Sequence, residues 1–313
     1  MLNEDEIRTL FQESKLVQLV STAEKQPDSF PVDIPIDNIR RRVDSLASLR
    51  VSCESDHGWV LQKETHKVRT LYQNNPSRSH VHSIRLDGDV EAPVFILLAL
   101  LHEVDMFSKW LPSYSFLGLN FARLISHPSP TELLVHLNIH VPWPFTNRYC
   151  FFHCDGIDCM DDPDRPQIGV ILNNLSSEAE NGVKDDSVKT DFYAPSGVLL
   201  TPLGDGRTKV QVVVNLDPKI ALVPDWLIDL AVRNLAFLII LQFRKAVEIV
   251  KQDPEYLKRM ADPGNEFYAH IKRRIRESLP DEAKYLPDDS GELLENSRFA
   301  TPDGSDDSKL DTT

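Results

Sequence analysis

Residues 133–141 read LLVHLNIHV, an unbroken alternation that puts Leu133, Val135, Leu137, Ile139 and Val141 on one side of an extended chain. Leu134, His136, Asn138 and His140 fall on the other side. Such a segment is a strand with one dry face and one mainly polar face, and a strand needs neighbours. They are present as short runs rich in Val, Thr, His and Tyr, separated by polar breaks, at 59–63, 67–73, 78–86, 116–125, 148–156, 167–175, 197–203 and 209–216. The sequence predicts an antiparallel sheet assembled in two instalments.

Between the instalments lies APVFILLALLHEVDMFSKWLP (92–112), whose apolar density and length favour a buried helix stopped by Pro112. Pro224 opens a long helix in which Leu227, Leu230, Ala231, Asn234, Leu235, Leu238, Ile239 and Phe243 form a wide apolar stripe that must lie on the sheet. Two further helices are predicted near the start, over 4–23 and 37–49, divided by Pro27, Pro31 and Pro35. The segment 176–190 has almost no apolar residue and reads as a mobile insertion between strands. The fold class is α+β: a curved antiparallel sheet wrapped around a long C-terminal helix, with room for a cavity between them.

This reading divides the 313 residues into an N-terminal helical extension (1–35), a central domain (36–252), a helical and basic extension (253–280) and an acidic disordered tail (281–313). Lys plus Arg number 34 against 48 for Asp plus Glu, a net charge of −14, which argues against a nucleic-acid partner. The tail holds ten acidic and three basic residues, half of that excess. The acidic start MLNEDEIRTL is unlike an export signal, and Cys53, Cys150, Cys154 and Cys159 make no disulfide framework. The longest apolar runs, 92–101 and 235–241, fall short of the roughly 18–20 residues that span a bilayer. The expected location is the cytoplasm, with peripheral contact to membranes.

The order of these elements, with FSKWLP closing the first helix, VPWPFTNRY before a strand and VVVNLDPKIALVPDWLIDLAVRN leading into the last helix, resembles the START (steroidogenic acute regulatory protein-related lipid transfer) domain over roughly 36–252. The resemblance implies a helix-grip fold with a hydrophobic tunnel holding one lipid or sterol, the last helix and a loop serving as its lid. It implies no enzyme activity and no cofactor. The matching positions are Trp110 with Pro112, Arg148, Pro224 and Trp226.

On this reading Val135, Leu137 and Ile139 wall the tunnel, with Val212 opposite, and Trp226, Leu230 and Phe237 close one side. Arg148 anchors a headgroup or hydroxyl, or else pairs with a carboxylate to fix strand register. Trp143 and Phe145 sit at a proline-rich loop tip and either tuck into the core or dip into a membrane interface. The cluster CFFHCDGIDC has the wrong spacing for zinc, and alternation puts Cys150 and Cys154 on the face opposite His153. Asp155, Asp158, Asp161, Asp162 and Asp164 read as a solvated acidic turn, and His80, His82, His136 and His140 as solvent-facing histidines. The basic cluster Lys272, Arg273, Arg274 and Arg276 reads as a solvated helix end or a contact for anionic lipid. Two rival functions stand: a helix-grip enzyme, cyclase-like or hydrolytic, on an apolar substrate, and an adaptor with a collapsed cavity.

Overall fold

The computed structural model describes residues 12–25, 36–65, 67–74, 80–111, 118–141, 143–174, 185–219 and 236–287, excepting the side chains of 236–238. Its elements run α1 (Glu13–Lys25), α2 (Ile36–Glu54), β1 (Val60–Thr65), β2 (Val68–Asn74), β3 (His82–Val90), α3 (Val94–His102), a 3-10 turn (Val104–Lys109), β4 (Gly118–Ser129), β5 (Glu132–His140), β6 (Arg148–Cys159), β7 (Gln167–Asn174), β8 (Val188–Lys189), β9 (Asp191–Gly204) and β10 (Arg207–Asp217). Four helices follow: α4 (Ala236–Gln252), α5 (Pro254–Ala261), α6 (Glu266–Ser278) and the short α7 (Pro280–Ala283). Predicted helix residues 4–11, Pro112, the stretch 176–184, the helix start with Trp226 and Leu230, and the tail from 288 lie outside the described residues.

The strands form one sheet in the order β1-β2-β3-β10-β9-β7-β6-β5-β4, antiparallel throughout, with the two-residue β8 added in parallel beside β6. The pairing of β3 with β10 joins the two instalments. That leaves the connection through α3 to carry the chain from the middle of the sheet to its far edge. β3 begins and ends four residues later than its predicted 78–86. The acidic stretch Asp87–Gly88–Asp89, which has the composition of a turn, stays in the ladder because Asp87 is buried beside Arg85 and Gln211.

Alternation assigns the two faces. On one, α1 and α2 cover the sheet with Leu16, Ile39, Leu46 and Leu49 against Ile171, Leu199 and Val213. On the other, α3 to α6 pack over Val68, Leu86, Leu200 and Val210 in the main core. α3 is apolar on all sides and eight of its nine residues are buried, as a helix of that composition must be. Each such Leu, Ile or Phe contributes about 1.5–3 kcal/mol. Helix α4 approaches β3 closely at Gly88, where an added methyl would lie 2.9 Å from Ile240.

The segment after α4 continues the core. Asp253 caps α5, accepting from the backbone N–H groups of Glu255 and Tyr256, with Pro254 in the first turn where its missing N–H costs nothing. Tyr256, Met260, Phe267, Tyr268, Ile271 and Ile275 join the main core cluster. Arg259 clamps α5 by hydrogen bonds to Glu103 (2.5 Å) and Asp105 (2.8 Å), and the Tyr268 hydroxyl donates to Glu103 at 2.6 Å. Packing runs on to Glu282, Tyr285 and Leu286, all buried. Seven residues that the sequence assigned to the acidic tail therefore include core positions.

Candidate functional site

An apolar cavity of about 180 Å³ lies between the inner face of the sheet and helices α3 and α6. The sheet supplies Leu133, Phe152, Cys154, Ile168, Val170 and Val198, since successive inward positions on β5, β6, β7 and β9 come into register there. Leu98 and Leu101 of α3, Phe107, and Phe267 and Ile271 of α6 close the opposite side. The polar side chains on the wall are Thr131, His102, Asp158 and His270.

Burial decides their charge. His102 is pushed down to about 3 by burial, with His127 and Arg259 nearby adding to it, so the ring is neutral, stacked on Phe267 at 3.7 Å between centroids. Burial also lowers His270. The Cys154 thiol is pushed up by burial, and Cys150, just beyond the cavity, is pushed up to about 12. Neither is an activated nucleophile. Asp158 is held by Arg274 at 2.6 Å, with side-chain exposures of 3% and 5%. Burial alone would lower Arg274, but hydrogen bonds to Asp158 and Asp161 outweigh it.

None of the predicted tunnel residues that lie among the described residues lines this cavity. Val135 is buried one pair further along the same face as Leu133 and shares a cluster with it, Leu137 packs against that cluster, and Ile139 is half-buried opposite Arg148. Val212 packs against the main core. Trp110 is buried against Phe243 (5.1 Å between ring centroids) and Phe107 (5.3 Å), touching the cavity only through Phe107. Trp226, Leu230 and the Phe237 side chain lie outside the described residues. Arg148 is buried and donates to backbone carbonyls: Pro218 at 2.6 Å, Lys219 at 3.5 Å, and Thr146. It ties the end of β10 to β6 and pairs with no carboxylate among the described residues.

Several polar readings change. His136 is only 2% exposed: its Nε2 lies 3.0 Å from Asp185, which also accepts from Asn138 at 2.8 Å. The second half of the predicted mobile insertion, 185–190, thus lies over the polar face of β5. His82 is half-buried with Nδ1 2.8 Å from the Tyr72 hydroxyl, and four strands separate β3 from β5, so the histidine pairs do not meet. Asp155 and Asp158 are buried ion-pair partners, not parts of a solvated turn. Asp155 pairs with Arg42 of α2 and Asp158 with Arg274 of α6, so the basic cluster is not wholly a solvated end. Trp143 projects at 90% exposure while Phe145 is half-buried.

One group among the described residues has metal-ligand chemistry: Glu132, His153 and Asp155, with ligand atoms within 4.8 Å of one another on the outer face. The cation's place is taken by Arg42 of α2, 3.0 Å from Glu132 and 3.5 Å from Asp155. The cluster docks α2 on the sheet.

The sequence matches no family model and no curated protein. Solved structures do match. Human STARD10 superposes with a TM-score of 0.56 at 18% identity, over 87% of this chain and 96% of that one. A STAR-related lipid transfer protein fragment from Xanthomonas axonopodis gives 0.50 at 18% identity, over 61% and 99%. Human StAR-related lipid transfer protein 5 gives 0.50 at 12% identity, over 77% and 100%. The chain has the α+β helix-grip fold of START domains.

Proposed function

We propose that this chain binds one lipid or sterol between its sheet and helices and carries it between membranes. The observation that supports the reading most is the apolar cavity on a START-type fold, walled by leucine, valine, isoleucine and phenylalanine side chains. The role is binding, not catalysis: the cavity's one thiol, Cys154, is protonated and its one carboxylate is committed to Arg274. A lipid crossing water exposes its chains at about 0.8 kcal/mol per CH₂, so thirty methylenes cost roughly 24 kcal/mol. An enclosed apolar site removes that barrier. The volume slightly exceeds the roughly 150 Å³ that accommodates benzene, so it takes one ring or a short length of chain. Loading a whole lipid requires the walls to part.

The unit that binds includes α6, since Phe267 and Ile271 belong to the cavity wall. Trp143, exposed at the β5–β6 turn with Phe145 beside it, is the membrane contact, and the chain acts as a peripheral cytoplasmic protein. Transfer of a fluorescent sterol and a fluorescent phospholipid between vesicles tests this. The intact protein should accelerate at least one, and Trp143→Ala with Phe145→Ala should slow transfer without changing the melting temperature. No acceleration with either cargo would sink the transfer reading, and an unaffected double variant would sink the membrane contact.

A further inference from the structure

The two helices that wall the cavity opposite the sheet are joined by the short segment that follows α6. Helix α6 brings Phe267 and Ile271 to the wall, and α3 brings Leu98 and Leu101. Leu279 ends α6 by donating its N–H to the Ile275 carbonyl at 2.8 Å, and the chain then turns through α7 to Tyr285 and Leu286. Leu279 and Leu286 are buried in the same core cluster as the apolar residues of α3. The polar contact between this segment and α3 is made by Glu282. Pro93, at the start of α3, has no side-chain acceptor to cap the first N–H groups of the helix. The Val94 N–H donates instead to Glu282 Oε2 at 3.4 Å, so α7 supplies the cap from 188 residues further along the chain.

That site is a poor one for a carboxylate. Glu282 is 3% exposed, and its Oε1 is buried with no hydrogen-bond partner. The charged groups that act on it, Lys284 and Asp281, lie on its own turn and are exposed, and the Lys284 ammonium sits over the Tyr285 ring at 4.9 Å. The elements packed around it bring little charge of their own. Helix α3 is uncharged from Val94 to Leu101, and β9 is uncharged from Gly197 to Gly204. Arg276 and Glu277, at the adjoining end of α6, are exposed, and Asp205 of the β9–β10 turn acts on Lys284. An ionised carboxylate is penalised in such surroundings and a neutral one is not. Burial accordingly pushes Glu282 above the ordinary carboxylate range, and the Val94 N–H and Lys284 offset only part of it. A neutral Glu282 therefore favours the closed packing, in full below its ordinary value of 4.5, and that contribution is lost as pH rises through the raised value.

Resting on the lipid-binding reading above, we propose that residues 280–287 are a proton-operated clasp on the cavity: they hold α6 to α3 while Glu282 is neutral and release it when Glu282 ionises. Release frees one wall of the cavity from the other, which is the parting that a whole lipid needs. Cargo therefore enters and leaves faster at neutral pH than in mild acid.

The test takes two readouts from the full chain between pH 5 and pH 8. Hydrogen–deuterium exchange, corrected for its intrinsic pH dependence, reads the clasp without any ligand. Protection of 94–97 and 280–287 should fall roughly tenfold across that range, and in Glu282→Gln it should stay at the acid level. Stopped-flow uptake of 1-N-phenylnaphthylamine, an uncharged fluorophore larger than the single ring the closed cavity takes, reads the gate. Its rate should rise by a similar factor in the intact chain and stay slow in Glu282→Gln, while Asp281→Asn, a change at the exposed neighbour, keeps the rise. Protection that is constant with pH, or that falls equally in Glu282→Gln, overturns the proposal, as does uptake that ignores pH while protection falls. Absence of uptake at every pH refutes the binding reading, and exchange then decides the clasp by itself.

Discussion

Helix α6 is held to the sheet by one ion pair that water scarcely reaches, and removing half of it gives a large, calculable effect. In Arg274→Met the stem's packing is largely kept while Asp158, buried at the end of β6, loses the guanidinium at 2.6 Å and keeps only the Met160 N–H at 2.9 Å. Stranding a buried charge in this way costs about 3–5 kcal/mol. At about 2–4 °C per kcal/mol the melting temperature falls by roughly 6 °C or more. Adding Asp158→Asn removes the stranded charge, so the double variant should recover a large part of the loss. Urea unfolding followed by tryptophan fluorescence gives both free energies. A single variant that loses under about 1 kcal/mol, or a double variant no better than the single, would show that Asp158 is not buried against α6 and that α6 does not form the cavity wall.

Three further outcomes follow from the same packing. Adjacent residues of β9 should respond oppositely to added volume: Gly197→Ala drives a methyl against the Val170 carbonyl and to 2.9 Å from Leu49, costing about 1–3 kcal/mol, whereas Val198→Phe extends into the cavity and should cost less despite adding more atoms. Equal losses in urea unfolding would refute the assignment of faces. Burial lowers His153, but hydrogen bonds and the charges of Asp155 and Glu132 outweigh it and push it up to about 9, with Arg42 opposing from α2. Its stabilisation is therefore complete below its ordinary value near 6.5 and is lost as pH rises to about 9, so the stability gap between the intact protein and His153→Gln should shrink across that window; a constant gap would refute it. Ending the chain after Pro287 should leave the melting temperature unchanged, while ending it after Pro280 removes buried Tyr285 and Leu286 and about 3–6 kcal/mol, and equal melting temperatures would contradict the packing of 281–287.

The sheet is legible because strand period survives on its own: the alternation through 133–141 predicts a strand and Glu132–His140 forms, with its neighbour β6 and the next strand β7 close to their predicted bounds. Leu133, on the same face of β5 as Val135, lines the cavity. The precise lining was not legible, because it depends on which rung of four strands lies beneath α3 and α6, a register set by tertiary contacts. α6 was misjudged through composition. Lys272, Arg273 and Arg276 drew attention to charge, while Phe267, Ile271 and Ile275 recur four apart and mark a buried stripe. Asp155, Asp158 and His136 look like surface residues in sequence, and only their partners from α2, α6 and 185–190 make them interior.

The most direct measurement is native mass spectrometry of the chain produced in a eukaryotic host, with the bound material extracted and identified, alongside the cavity-filling variant Val198→Phe. The expected result is a stoichiometric apolar ligand on the intact protein and its loss from the variant. A chain that emerges empty, or a ligand that stays bound when the cavity is filled, would contradict it.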